Sequence, residues 1–376
     1  MNEPVTKSAR PRFSTLMLAV ALTACGGGGI EPEEGNKPPS TDVQGECIAR
    51  PTYTEDVNTC APLSTDYQPR VADSARDTWP ACISDDNTYH RLYDSIATLG
   101  RVGAFEYIAE TLWRGAKVPT VEDFTRARLR YTESEGLGSR VERREDIHYP
   151  APPAPCNSSA SIPTDFPDRC VGPAKLRPLI NESFAAGMRG EAPRVNAARI
   201  EAALLWFLYV SPLSEVTSCT TKDADCDSAW AYYTGGTPRE APAGLARYVK
   251  ELAPETHERV YDATLAVRCW RDLDRATPAT RLELRDLART QLDKAMLRGV
   301  AVIMRQRFQE LSCTSGEAKE TRWAFLKVLV PLLDREARTR DVAQANVLKD
   351  QMEKAGPDEV DVLAAVTALD ALFSCP

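Results

Sequence analysis

Residues 199–210 read RIEAALLWFLYV, an apolar run interrupted only by Arg199 and Glu201. A helix over this run carries apolar side chains nearly all round, so it must be enclosed by other elements. The run is too short to cross a bilayer, which needs about 20 apolar residues. It therefore predicts a central buried helix, ended or kinked at Pro212. Glu201, at its head, is expected to be partly buried. A buried carboxylate needs a partner, and the partner expected in this arginine-rich chain is an arginine in a structural ion pair.

Outward from that run the chain reads helical in both directions. In 88–114, Leu92, Ile96, Leu99, Val102, Tyr107 and Ile108 recur near helical spacing. Thr120 and Asp123 form a capping-box variant opening a helix expected to run to Glu135, where Gly136 and Gly138 stop it. Pro254 with acids in the following turn marks another start. Thr277-Pro278 reads as a cap followed by proline at the first helical position. The helix after it sets Leu284, Ala288, Leu292, Ala295, Gly299 and Ile303 along one stripe. A helix over roughly 318–354 is expected to kink at Pro331 and to end at Gly356-Pro357. A last one over 358–373 places Val362, Val366, Leu369 and Phe373 on one face.

Residues 149–178 are proline-rich, carry two cysteines and read as a long loop, and residues 46–87 read as irregular structure. No segment shows sustained strand alternation with hairpin turns. The predicted class is all-α: a multi-helix, bundle-like domain over 46–376 with disulfide-pinned loops. The 149–178 loop leaves room for subdomains 46–150 and 179–376.

The N-terminus reads as an address. Lys7, Arg10 and Arg12 precede an apolar stretch from Phe13 to Leu22, and Leu22-Thr23-Ala24-Cys25 follows in the manner of a bacterial lipobox. The alternative is an ordinary signal cleaved elsewhere. The lipobox reading makes 1–24 a lipoprotein signal peptide, Cys25 the lipidated residue, and the membrane a partner through that lipid. Residues 25–45, rich in Gly, Pro and acid, become a flexible linker. Gly26, where inner-membrane lipoproteins tend to carry Asp, resembles the pattern of outer-membrane lipoproteins. The expected location is the bacterial envelope, anchored in the outer membrane.

Setting Cys25 aside leaves ten cysteines, and an exported chain tends to pair them. Cys219 and Cys226 bracket the polar loop TTKDAD and are the easiest local pair. Cys47–Cys60 and Cys156–Cys170 are plausible local loops. Pairing among Cys82, Cys269, Cys313 and Cys375 stays open. None has C-x-x-C spacing, which argues against a zinc ribbon or a thioredoxin site. The chain holds 54 acidic against 46 basic residues, a formal charge of −8. Loss of the leader, with Lys7, Arg10 and Arg12 against Glu3, would take this to −10. Such a balance excludes nucleic acid as a partner, since its phosphates demand clustered Lys and Arg.

Only His90, His148 and His257 offer imidazole chemistry. Glu142, Glu145 and His148 follow one another at three-residue steps. If a helix persists that far, they form a carboxylate and imidazole set suited to a transition metal. The competing reading is a solvated charged face on which Arg140, Arg143 and Arg144 neutralise the acids. Glu255, His257 and Glu258 read instead as an acidic helix N-terminus. The metalloprotease, nucleophile-elbow, P-loop and dinucleotide-binding motifs are all missing, so no catalytic residues are expected and the chain reads as a non-enzyme.

Two segments together resemble a family. They are 119–150, PTVEDFTRARLRYTESEGLGSRVERREDIHYP, and 227–236, DSAWAYYTGG. A helix, a glycine break, an Arg/Glu/Asp/His cluster and a later aromatic turn are similar to the low-iron-inducible periplasmic proteins of green algae and their bacterial relatives. Those are exported helical proteins associated with iron assimilation. The resemblance implies Glu142, Glu145, Asp146 and His148 as metal ligands, with iron or another divalent metal as the cofactor. A more distant similarity is to imelysin-type helical lipoproteins, whose G-x-H-x-x-E is absent here, so their metal site does not transfer. Trp230, Tyr232 and Tyr233 read as core packing at a helix end stopped by Gly235-Gly236. The functional expectation is a lipid-anchored, non-catalytic envelope protein that binds a metal or assists iron acquisition. The alternative is a ligand-free envelope interaction or scaffold module with an envelope protein partner.

Overall fold

The computed structural model describes residues 62–70, 78–133 and 136–374. These belong to one compact unit, Gly45–Pro376. The signal peptide, Cys25, the linker, Cys47, Cys60 and Cys375 lie outside the described residues.

The chain forms α1 Ala97–Leu112, α2 Val121–Thr132, α3 Leu137–Glu142, α4 Ser161–Asp165, α5 Arg177–Met188 and α6 Pro193–Ser218. It continues with α7 Ala224–Thr234, α8 Leu245–Leu252, α9 Pro254–Leu273 and α10 Leu282–Ser312. It ends with α11 Gly316–Leu329, α12 Asp334–Arg340, α13 Val342–Met352 and α14 Val362–Leu372. No strand occurs among the described residues, so the all-α expectation holds.

Helix α6 is the axis. Every side chain from Ile200 to Leu213 is buried, and α5, α7 and α11 pack around it. Pro212 does not end it; the helix continues six residues further, to Ser218. Enclosure on all sides outweighs the one backbone donor that proline lacks. Glu201 is paired with Arg307 at 3.0 Å, as an ion pair. Helices α9 and α10 pack on each other, and α14 closes over α10. Among the described residues no helix is long and apolar enough to cross a membrane.

Local signals explain several boundaries. The Thr120 hydroxyl accepts from the Asp123 N–H at 3.2 Å while the Asp123 carboxylate accepts from the Thr120 N–H at 2.9 Å, a reciprocal cap on α2. Pro254 opens α9. Helix α7 stops at Thr234 because Gly235 adopts φ +74°, and Trp230, Tyr232 and Tyr233 are buried beneath that end.

Other boundaries differ from expectation. The 149–178 stretch is not wholly a loop: it holds α4 and a π turn, Gly172–Leu176, that leads into α5. Residues 88–96 are not helical, and α1 starts at Ala97. Helix α10 starts at Leu282 rather than at Thr277-Pro278, because the Asp274 carboxylate accepts from the N–H groups of Thr280 and Arg281, both at 2.6 Å. The expected 318–354 helix is three helices, with a 3-10 turn at Val330–Leu333 around Pro331.

Three disulfides lie among the described residues: Cys82–Cys269, Cys156–Cys170 and Cys219–Cys226. The two local loops form as the spacing suggested. The first bridge settles part of the open set by tying residues 187 apart. Cys313 is disulfide-bonded as well.

Candidate functional site

The predicted metal cluster lies where α3 ends. The helix stops at Glu142, so Glu142 and Glu145 do not share a helical face. Beyond it the chain is laced to the segment after the Cys156–Cys170 bridge. The Asp146 N–H donates to the Arg169 carbonyl at 2.8 Å, and the Gly172 N–H donates to the Arg144 carbonyl at 2.9 Å. Gly172 is required there: a Cβ would sit 2.1 Å from the Val141 carbonyl oxygen. This lacing turns Asp146 inward, toward α6 and α10, while Glu142 and Glu145 stay outside.

The four residues are therefore not one set. Glu142 is partly exposed and pairs with Arg177 at 2.6 Å. Glu145 pairs with Arg169 at 3.0 Å. Only Asp146 and His148 meet, with His148 Nδ1 2.6 Å from Asp146 Oδ1. The other ring nitrogen, Nε2, lies 2.9 Å from Asp293 Oδ2 on α10. Asp293 in turn accepts from the Tyr209 hydroxyl at 2.7 Å, and the Tyr209 ring stacks on the imidazole at 6.3 Å between centroids. The three neighbouring arginines do not neutralise the cluster's acids as expected: Arg140 and Arg144 both turn to Glu215 on α6, each at 2.8 Å.

A carboxylate at each end of one imidazole fixes it as a doubly protonated cation. Burial pushes the His148 pKa down, but the hydrogen bonds and charges of Asp146 and Asp293 outweigh it and raise the value from 6.5 to about 9. Neither nitrogen keeps a lone pair for proton abstraction or metal ligation. The two carboxylates sit on opposite ring nitrogens, so they do not converge with imidazole on one point. No group of three or more His, Cys, Asp or Glu side chains poised for a metal occurs among the described residues.

The linkage follows from the raised value. The pairing stabilises the fold fully below the unfolded pKa of 6.5 and is lost as pH rises through about 9. We expect melting temperature to fall across that window, by an amount corresponding to on the order of 3 kcal/mol, and His148→Gln to flatten the decline. A wild-type profile that is level from pH 6.5 to 9.5 would contradict the clamp.

The remaining histidines are also engaged. His257 is fully buried, with Nδ1 3.1 Å from the Tyr233 hydroxyl and Nε2 3.0 Å from the Arg239 carbonyl. Burial lowers its pKa, so it is a neutral ring donating from Nε2. His90 Nε2 lies 2.8 Å from Asp86 at the surface. Beside Asp146 opens a cleft of two adjoining cavities, about 620 and 690 Å3, that share Lys175, Trp206, Lys327 and Pro331.

Sequence reasoning missed Asp293 and Tyr209. Each lies in a helical stretch whose apolar stripe gave no local sign that a polar group turns inward. Set against known proteins, the chain matches no family, no curated protein and no solved structure.

Proposed function

We propose that this chain is a lipid-anchored protein of the bacterial envelope that works by binding rather than by catalysis. The observation that carries the reading is that every cysteine among the described residues is spent in a crosslink. Cys82–Cys269, Cys156–Cys170 and Cys219–Cys226 are the bonds of an oxidising compartment, the one the Leu22–Cys25 motif addresses. Crosslinked thiols are not nucleophiles, and His148 and His257 have both ring nitrogens committed, which supports a non-catalytic role. Palmitate labelling in the bacterium tests the anchor. Label on the wild type and none on Cys25→Ala is expected; label on both, or on neither, sinks it.

Iron or another divalent metal at Glu142, Glu145, Asp146 and His148 is the narrower form of this proposal. Its support is the family resemblance and the contact of Asp146 with His148. It requires Glu142 and Glu145 to leave Arg177 and Arg169, and His148 to give up a proton. Calorimetric titration with ferrous iron decides it. Affinity weaker than millimolar, or unchanged when Glu142, Glu145 and His148 become Ala, leaves the ligand-free interaction module.

A further inference from the structure

The two cavities beside Asp146, about 620 and 690 Å3, meet at Trp206 and Pro331 and form one two-lobed cleft. One lobe is walled by Leu332 and Leu333 of the 3-10 turn, Ala337 of α12, and Ala345, Leu348 and Met352 of α13. The other is walled by Leu176, Leu179 and Val195 with Trp323, Ala324 and Val328 of α11. Apolar wall continues from one lobe to the other, and an apolar guest that displaces water from it gains hydrophobic free energy.

The charged groups around the first lobe are all engaged. Asp168 pairs with Lys175 at 2.6 Å, Asp334 with Arg338 at 2.9 Å and Glu353 with Lys349 at 3.5 Å. Asp146 is held by His148, and Lys327 donates to the Met352 carbonyl at 2.6 Å. Lys175 and Lys327 also set their Nζ atoms over the Trp206 and Trp323 rings, at 5.5 and 5.2 Å from the centroids. The second lobe adds two exposed acids, Glu182 and Glu320, against Arg199, which disfavours an anionic group there.

These features select among ligand classes. A peptide strand needs a free strand edge to pair with, and the walls are helices whose backbone groups bond within each helix. A sugar needs free polar groups for its hydroxyls, and those around the first lobe are already paired. What the cleft offers is apolar length. At its junction Trp206 is 6 % exposed, and its indole Nε1 has no hydrogen-bond partner. A buried donor left unpaired is costly, and the ester or carboxyl oxygen of a lipid is an acceptor that would relieve it.

We propose that this cleft binds one long acyl chain, laid across both lobes past Trp206. The chain belongs either to a free fatty acid or to a phospholipid. The proposal goes beyond the envelope role above and does not depend on the anchor at Cys25.

The test is fluorescence titration of the full chain carrying Cys25→Ala, so that no lipid of its own competes, with cis-parinaric acid as probe. Micromolar binding is expected, with displacement by palmitate, by palmitoyl-lysophosphatidylcholine below its micelle concentration, or by both. Displacement by palmitate alone assigns a free fatty acid; displacement by the lysolipid assigns a phospholipid chain. Each buried methylene strengthens binding roughly fourfold, so octanoate should compete at least tenfold less well than palmitate. Leu179→Glu with Val328→Glu, at partly buried positions, places charge on the apolar wall and should weaken binding about tenfold or more. Circular dichroism reports whether that variant folds, and the chain-length series on the unsubstituted cleft decides the matter if it does not. Lys349→Gln with Glu353→Gln removes a paired charge from the rim and should leave binding unchanged. No probe binding, octanoate competing as well as palmitate, binding that survives the folded Glu variant, or loss of binding in the rim variant overturns the proposal.

Discussion

Replacing Cys82 and Cys269 together by alanine is expected to cost the fold about 5 kcal/mol. The bridge closes a loop of sequence separation 187, against 14 for Cys156–Cys170 and 7 for Cys219–Cys226. A crosslink stabilises chiefly by removing conformations from the unfolded chain, and the entropy removed grows with the logarithm of the loop. The same relation gives about 3 kcal/mol for the middle loop and somewhat less for the shortest. Cys269 is fully buried on α9, so its truncation also leaves a small void. Urea denaturation of the three double-alanine variants reads the order directly. A larger loss from the Cys219 and Cys226 pair than from Cys82 and Cys269 would show that loop length does not govern these bonds.

Glu215→Gln is expected to cost 3–5 kcal/mol, roughly the penalty for breaking one partner out of a buried ion cluster. Glu215 is 1 % exposed and accepts from both Arg140 and Arg144, each at 2.8 Å. Burial raises its pKa, but the two guanidinium groups outweigh burial and hold it below the usual glutamate range. Its contribution is therefore present above the unfolded pKa of about 4.3 and is lost as pH falls through the lower folded value. Neutralising Glu215 leaves Arg144, 4 % exposed, without its counter-charge. Glu142→Gln is the contrast, since its pair with Arg177 is solvent-exposed and should be worth less than about 1 kcal/mol. Equal effects from the two substitutions, measured by urea denaturation, would remove the distinction between the inner and outer acids of this region.

The frame was legible where one physical signal dominated. The run 199–210 leaves no polar face, so it had to be central. Thr120 with Asp123 and Pro254 with Glu255 carry their starts in local chemistry. The signal failed where a distant group decided. Proline at 163 and 173 suggested a loop, yet each sits in the opening turn of a helical segment, where the missing N–H has no intrahelical partner to lose. Thr277-Pro278 looked like a helix start, but the Asp274 side chain, reaching back from the end of α9, places the start later.

The candidate site divides the same way. Glu142, Glu145, Asp146 and His148 are close in sequence, but Arg177, Arg169 and Asp293 decide what each of them does. Those partners lie 24 to 145 positions away, beyond the reach of any helical spacing rule. The partnerships of Arg140 and Arg144 with Glu215 are equally remote, so the local competition for Glu142 and Glu145 that spacing implied does not arise.

The Cys82–Cys269 bond also sets how the molecule would bear tension. A pull on the chain upstream of residue 82 passes through sulfur directly into α9, in the buried centre of the fold. The stretch between the two cysteines is bypassed and cannot be drawn out while the bond stands. It includes α1 through α8 and His148 itself, while Asp293, which holds the other nitrogen of that imidazole, lies beyond Cys269 on α10. Load borne between the N-terminal segment and the helices after Cys269 would therefore part Asp293 from His148 while the stretch between the two cysteines stayed closed.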